Sequence, residues 1–328
     1  MSFTVRESTA TAAALRDPIP WTEFRDVVGM IEETGYRALF LPEIAGREAF
    51  STLSALADHT QRLQLGTGVV TSVSRRVQIT AMAAATVHEV SGGRLVLGLG
   101  AGPSGSGSLE RLQAYVTALR ALLAGERVEV EAVSGPPTSV RLTAPPATPP
   151  PIWLAALGPR AMRLAGEVAD GVLLNWCPPE RVAVARELVR EGAERAGRDP
   201  GRITIAAYVR ACVGQDDDAA FASLRAAAGE YAAIPAYRRQ FELAGFATEA
   251  AAAAAAHANR RPDDVPARLV RGVTLSGDAS SARAGLEQFR AAGVDLPVVY
   301  PVAARDRNSS LLGTLLALAP HPVLAPGA

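Results

Sequence analysis

The chain has 328 residues, 48% hydrophobic and 20% charged, with 33 basic residues balancing 33 acidic ones and a sequence pI near 6.9. This neutral balance, with no basic stripe, argues against a nucleic-acid partner or an electrostatic membrane attachment, and no run of about 18 apolar residues predicts a membrane-spanning helix. Every one of the 33 basic residues is arginine, which excludes a Walker A lysine and any Schiff-base chemistry.

In chain order, short apolar runs alternate with amphipathic stretches. The runs are Phe3–Val5, Tyr36–Leu41, Leu63–Val70, Arg94–Gly100, Ile152–Ala156, Gly171–Leu174, Ile203–Val209 and Pro297–Tyr300. Continuous apolar runs of this length suit strands of a parallel sheet buried on both faces. The intervening helices are expected at Trp21–Thr34, Phe50–Thr60, Val77–Val90, Leu109–Leu123, Pro159–Val168, Glu180–Ala196 and Ala279–Ala292, several of them closed by a glycine such as Gly35, Gly125 or Gly293. Eight strands with helices between them predict an α/β protein, a single (β/α)₈ TIM barrel domain over 1–328. Two segments break the rhythm. A hairpin insertion is expected near 127–142, around Ser-Gly-Pro-Pro, and a helical insertion near 215–270. Within the second, the aromatic- and arginine-bearing stretch Tyr231–Phe246 suits either a substrate pocket or a helix-packing core.

The stretch Gly98-Leu-Gly100-Ala-Gly102 follows a strand and invites a dinucleotide-loop reading. The third glycine of G-x-G-x-x-G does not fall cleanly, and the expected acidic position lands near Arg120. In a barrel, the same glycines mark where the fourth strand leaves the C-terminal face. There a backbone free of side chains lets a flat cofactor approach. Gly66-Thr67-Gly68-Val69 ends the third strand in a similar way. Gly158-Pro159-Arg160 opens the helix after the fifth, and the unpaired N–H groups at such a start suit a phosphate. His59, His88, His257 and His321 form no metal or catalytic pattern. The sequence from Met1 lacks the pattern of a secretory signal, and Cys177 and Cys212 match no metal spacing. A cytoplasmic, disulfide-free protein is therefore expected.

Four stretches together carry a resemblance: "RLQLGTGVV…RR", "AAATVHEVSGGRLVLGLGAGP", "PIWLAALGPRAMRLAGEVADGVLLN" and "TLSGDASSARAGLEQFRAAGVDLPVVYPV". In this order they resemble the luciferase-like monooxygenase superfamily, and most closely its F420-dependent oxidoreductase branch, which includes methylenetetrahydromethanopterin reductase. The resemblance implies the barrel and an enzyme that transfers a hydride between coenzyme F420 and a small-molecule substrate. FMN, used with a partner flavin reductase in a two-component monooxygenase, is the alternative cofactor, and a non-catalytic cofactor-binding relative is the second alternative. The resemblance further implies a non-prolyl cis peptide at Gly68–Val69 behind the cofactor ring. It places Thr67, Thr71 and Gly100 near the ring or its hydroxylated chain, and Gly158, Pro159, Arg160 and Ala161 around the phosphate, with Asn175 on the same face. It implies a homodimer. Glu43-Ile44 stands where the family often carries an Asp-His pair, so Ile44 takes the place of the catalytic histidine of its sugar-phosphate dehydrogenases, and Pro103 the place of their acid. Glu43 is the candidate proton donor or cofactor-hydroxyl ligand, with a salt-bridged surface carboxylate as the other reading.

Overall fold

The computed structural model describes residues 9–16, 19–102, 105–131, 134, 136–214, 217–304 and 306–321. Eight parallel strands close on themselves. In chain order they are β1 (Ala12–Ala14), β2 (Ala38–Leu41), β3 (Gln64–Thr67), β4 (Leu95–Gly100), β5 (Ile152–Ala155), β6 (Gly171–Asn175), β7 (Thr204–Val213) and β8 (Leu296–Pro301). Each pairs with the next, β8 pairs with β1, and the circuit is complete. This is the expected (β/α)₈ barrel. The run Phe3–Val5 lies outside the described residues, and Ala12–Ala14 supplies the first strand instead.

Alternation along the strands sorts the side chains into two layers, as period-2 geometry requires. One layer fills the barrel: Ala12, Ala14, Ala38, Phe40, Val96, Trp153, Leu173, Ala206, Tyr208, Leu296, Val298 and Tyr300 form one buried cluster. The other, including Leu39, Leu65, Leu97, Leu154, Val172, Ile205 and Val299, packs against the outer helices. The interior mixes very large with very small residues, and the small ones make room for the large. A Cβ at Gly171 would stand 2.5 Å from the Trp153 ring, and one at Gly66 would stand 2.4 Å from the Phe40 ring. Ala12 and Ala14 occupy the same crowded interior, which accounts for an alanine strand that carries no β-propensity of its own.

The surrounding helices are α1 (Trp21–Glu33), α2 (Ala49–Ala57), α3 (Val77–Val90), α4 (Ser108–Leu123), α5 (Pro159–Val168) and α6 (Pro179–Arg195). Their ends fall within a few residues of the expected ones. The hairpin pairs Val128–Val130 with Thr138–Val140 in antiparallel register. The second insertion is helical as expected: α7 (Asp217–Ala232), α8 (Pro235–Leu243), α9 (Ala247–Ala258) and α10 (Ala267–Val273). It ends in a short strand, Thr274–Gly277, that pairs with Arg210–Val213 of β7. After it come α11 (Ala279–Ala291) and, beyond β8, α12 (Arg307–Ala317). The insertion has its own apolar core, in which Leu224, Phe241, Ala253 and Leu269 are fully buried, and that core reaches the barrel through Trp176. Cys177 and Cys212 are both free and buried.

Candidate active site

The C-terminal ends of β3, β4 and β5 make a ledge almost free of side chains. Thr67 is fully buried; its hydroxyl donates to the Gly98 carbonyl at 2.7 Å and accepts from the Gly98 N–H at 2.8 Å. Gly98 must be glycine, because a Cβ there would stand 2.1 Å from the Thr67 carbonyl oxygen. Gly68–Val69 is a cis peptide, at the position the sequence resemblance indicates. A Cβ on Gly100 would meet Val69 at 2.9 Å and Ala155 at 4.0 Å, so Val69, Gly100 and Ala155 are direct neighbours across three strands. Gly102 follows with φ of +76°, a conformation that disfavours other residues. Gly98, Gly100 and Gly102 thus serve close strand packing, contact with Val69 and a left-handed turn, and no dinucleotide loop is formed.

Immediately beyond Ala155 the chain enters α5. Gly158 is its N-cap, Pro159 begins the helix, and no side chain caps the first turn. The N–H groups of Gly158, Arg160 and Ala161 are the donors there, since proline has none. The Arg160 side chain is 77% exposed and pairs with Glu110 of α4 at 2.8 Å. Thr71 lies in the short strand Val70–Thr71, which pairs with β4, and its hydroxyl bonds Ser74 at 2.9 Å.

The opposite wall comes from β6, β7 and the insertion. Tyr208 of β7 donates to the Gly68 carbonyl at 3.0 Å, spanning the mouth of the barrel. Burial pushes its hydroxyl far above the ordinary tyrosine range, so it stays a donor. One pleat further along β7 is Arg210, only 4% exposed. Its guanidinium donates to the Asn175 side-chain oxygen and, at 3.4 Å, to the Tyr231 hydroxyl. It lies 4.0 Å from the Tyr300 ring centroid, 4.9 Å from that of Trp176 and 5.3 Å from that of Tyr231. The Asn175 amide donates to the Tyr237 hydroxyl at 2.7 Å. Gln240 donates to the Asn175 and Trp176 carbonyls at 2.5 and 2.9 Å. Trp176 itself takes a positive φ of 52°, a costly conformation for a large side chain. Tyr231 and Tyr237 reach Arg210 and Asn175 while packing against the insertion core in which Phe241 and Phe246 are buried, so the helix-packing reading describes all four aromatics of the Tyr231–Phe246 stretch.

Glu43 is engaged elsewhere. Both its oxygens accept from Arg75, at 3.1 and 2.8 Å, and one also accepts from the Ala49 N–H at 2.9 Å. Arg75 bonds Glu48 as well, and hydrogen bonding to Glu43 leads the effects that raise its pKa. Burial raises the Glu48 pKa, but hydrogen bonds from Ser51 and Phe50 at the start of α2 outweigh it, and the net shift is downward. These bonds tie Glu43 into the β2–α2 loop as a salt-bridged carboxylate, the second of its two expected readings. The Thr67 hydroxyl is likewise engaged, with Gly98. Ile44 is 64% exposed, and Pro103 lies outside the described residues. His257 is exposed on α9, and His59 lies just past the end of α2. The sequence reading missed Tyr208 and Arg210. Their signal was present: Tyr208 and Arg210 share the inward parity of the run "AAYVR" that ends the seventh strand.

The luciferase-like monooxygenase family model matches residues 1–296. A 5,10-methylenetetrahydromethanopterin reductase of Methanolobus tindarius is 36% identical over 205 residues, which cover 58% of this chain and 61% of the relative. The reductase of the same name from Archaeoglobus fulgidus is 31% identical, over 60% of this chain and 62% of the relative. The match thus spans a little over three fifths of both relatives' length. A Mycobacterium tuberculosis protein assigned by name to the coenzyme F420-dependent oxidoreductases is 28% identical over 86% of this chain and 91% of its own. Among solved structures, the F420-dependent tetrahydromethanopterin reductase of Methanopyrus kandleri superposes with a TM-score of 0.80 at 22% identity, covering 94% of this chain and 97% of that one.

Proposed function

The chain belongs to the luciferase-like monooxygenase family, and from that premise we propose that it is an oxidoreductase that uses coenzyme F420 to reduce or oxidise a small organic substrate. The observation that carries the reading is the continuity of the ledge Gly68–Val69–Gly100–Ala155 with the uncapped start of α5. A flat ring needs backbone without side chains, and a Cβ on Gly68 or Gly100 would intrude at 2.2 or 2.9 Å from its neighbours. A phosphate needs N–H donors and a positive helix end within reach of that ring. The structure offers both within a few residues of β5. The relatives at 28–36% identity that are named for F420 or for methylenetetrahydromethanopterin reduction support F420 over FMN.

In this reading Gly68, Val69 and Gly100 form the surface beneath the ring. Gly158, Arg160 and Ala161 supply N–H groups to the phosphate. Thr71 and Asn175 border the ring. The deazaflavin would supply the hydride; the protein supplies position and electrostatics. Tyr208 stays protonated and holds the Gly68 carbonyl in place.

The chain has no helix, among its described residues, long and apolar enough to cross a membrane. On α3, Ile79, Met82 and Val90 are 48%, 54% and 49% exposed on one face. Such a stripe supports the homodimer as part of the proposal.

Fluorescence titration with F420, with the same deazaflavin riboside lacking the phosphate, and with FMN tests the assignment. The expected result is F420 binding at least about tenfold tighter than the phosphate-free riboside and tighter than FMN. Preference for FMN, or no discrimination by the phosphate, would sink it.

A further inference from the structure

We propose that Arg210 anchors the substrate, and that the substrate is a planar organic anion carrying a carboxylate beside its conjugated system. This rests on reading the barrel mouth as a hydride-transfer site, and it deepens that reading.

The argument starts from position. Tyr208 reaches from β7 to the Gly68 carbonyl, so β7 stands across the mouth from the β3 ledge. A ring lying on Gly68–Val69 therefore presents its free side toward Asn175, Arg210, Tyr231 and Tyr237. That side holds a buried guanidinium, and among the described residues no carboxylate stands within ion-pair distance of it. Buried arginines are ordinarily paired with a carboxylate, because the desolvated charge is otherwise uncompensated. Half-buried Arg75 has Glu43 and Glu48, and half-buried Arg94, without a carboxylate partner among the described residues, donates five hydrogen bonds to the Ser91, Leu63, Ala57 and Thr60 carbonyls and the Thr60 hydroxyl. Arg210 has instead one amide oxygen, one distant hydroxyl and four aromatic rings within 5.7 Å of its central carbon.

The rings decide the shape of the ligand. A flat conjugated body suits a guanidinium bordered by the rings of Trp176, Tyr231 and Tyr300, while the guanidinium fork accepts a carboxylate through two parallel hydrogen bonds. Two more polar atoms of the cluster, Trp176 Nε1 and Gln240 Oε1, are buried without a hydrogen-bond partner. The indole N–H is a second neutral donor for an anion. The Tyr231 hydroxyl, 3.4 Å away, is the weakest contact Arg210 makes and the one a carboxylate oxygen would displace. Tyr231 and Tyr237 sit on α7 and α8, so the insertion forms the cover of this subsite. The left-handed backbone at Trp176, held by Gln240, turns the indole over the guanidinium, and such backbone concentrates at ligand clamps.

Calorimetric titration with benzoate and with its uncharged isostere benzamide tests the proposal on the whole chain. Wild-type protein is expected to bind benzoate at least about tenfold tighter than benzamide, the discrimination a charge-assisted pair supplies. Arg210→Met is expected to bring the two within about twofold, and Arg210→Lys to keep the preference in reduced form. Tyr231→Phe, which removes the competing hydroxyl and leaves the charge, is expected to tighten benzoate by about threefold; a surface arginine elsewhere would be blind to it. Equal binding of the two probes, or a preference that survives Arg210→Met, would overturn the anchor. Should Arg210→Met not fold, as read by thermal melting, the wild-type preference and the Tyr231→Phe gain decide the matter. F420 titrations of the same samples separate the two readings. Benzoate preference without F420 binding leaves the anion site standing and removes the cofactor assignment; F420 binding without benzoate preference does the reverse.

Discussion

Replacing Gly98 by alanine isolates the tightest contact in the barrel mouth. The added Cβ would stand 2.1 Å from the Thr67 carbonyl oxygen, 3.2 Å from the Thr67 carbonyl carbon and 3.1 Å from Leu173 Cδ1, where ordinary contact begins near 3.4 Å. Relief therefore demands that two strands part by more than an ångström. The obstructing atom is backbone, so no rotamer change can absorb it. The same separation would break both hydrogen bonds between the Thr67 hydroxyl and Gly98. Overpacking a close-packed core costs about 1–3 kcal/mol, and a backbone obstacle places this site at or above the upper end. At about 2 °C per kcal/mol for a chain of this size, Gly98→Ala should lower the melting temperature by about 6 °C. Gly158→Ala is the internal control. Its φ of −106° suits alanine, a Cβ there meets nothing within 4 Å, and its N–H is kept. It should leave the melting temperature within about 1 °C of wild type, with F420 binding intact. Differential scanning fluorimetry on both variants gives the answer. Equal melting temperatures would show that the glycine-rich motif is not a packing device, and the account of the ledge would fail with it.

Glu43→Gln should cost about 1–2 kcal/mol of stability through the partly buried pair with Arg75, while F420 affinity changes less than about twofold; a loss of F420 binding of tenfold or more would return Glu43 to the cofactor site. Burial of the His88 imidazole lowers its pKa below the ordinary 6.5, against a smaller opposing effect of the hydrogen bond with the Thr148 backbone. Because the folded value is depressed, the unfolded chain binds more protons. Stability is therefore full above about pH 6.5 and falls as the pH drops below it. His88→Gln should flatten that part of the melting-temperature profile, and an unchanged slope would refute the assignment. Met82→Glu together with Ile79→Glu should shift the protein to the monomer mass in light scattering after gel filtration, without lowering the melting temperature of the barrel by more than about 3 °C; a double variant that keeps the parent mass would remove α3 from the interface.

The barrel was legible because parallel strands buried on both faces write a strong signal. Runs such as "RLVLGLG" and "GVLL" have few competing interpretations, and the helices between them carry glycine stops at Gly35, Gly125 and Gly293, each at positive φ. The first strand was not legible. Ala12–Ala14 is extended only because the barrel interior leaves room for nothing larger beside Phe40 and the tyrosines, which is tertiary information. The ledge and the start of α5 were legible for a related reason: backbone sites are recorded in the sequence as glycines and as Pro159, residues whose meaning is local. Side-chain sites are not recorded that way. Nothing local shows that Thr67 and Glu43 bond Gly98 and Arg75, 31 and 32 residues away. Arg210 looked like any of the other arginines, since only the fold reveals that, among the described residues, no carboxylate pairs with it.

That contrast bears on where specificity resides. The ledge is built from β3, β4 and β5 and uses backbone, so side-chain substitutions there have few ways to change what it binds. The facing wall uses Asn175, Trp176, Arg210, Tyr231 and Tyr237, of which two come from the insertion, an element with its own apolar core that joins the barrel at Trp176 and Cys212. A change at Tyr231 or Tyr237 alters the charge-bearing subsite without disturbing the barrel layers beneath, where Tyr208 and Tyr300 pack edge to face at 5.8 Å. The division follows from physics. On the proposed reading, the cofactor would be held by backbone groups that cannot vary, and the substrate by side chains partly on the insertion. The consequence is directional: exchanging α7 and α8 for those of another family member should move substrate preference and leave cofactor preference in place.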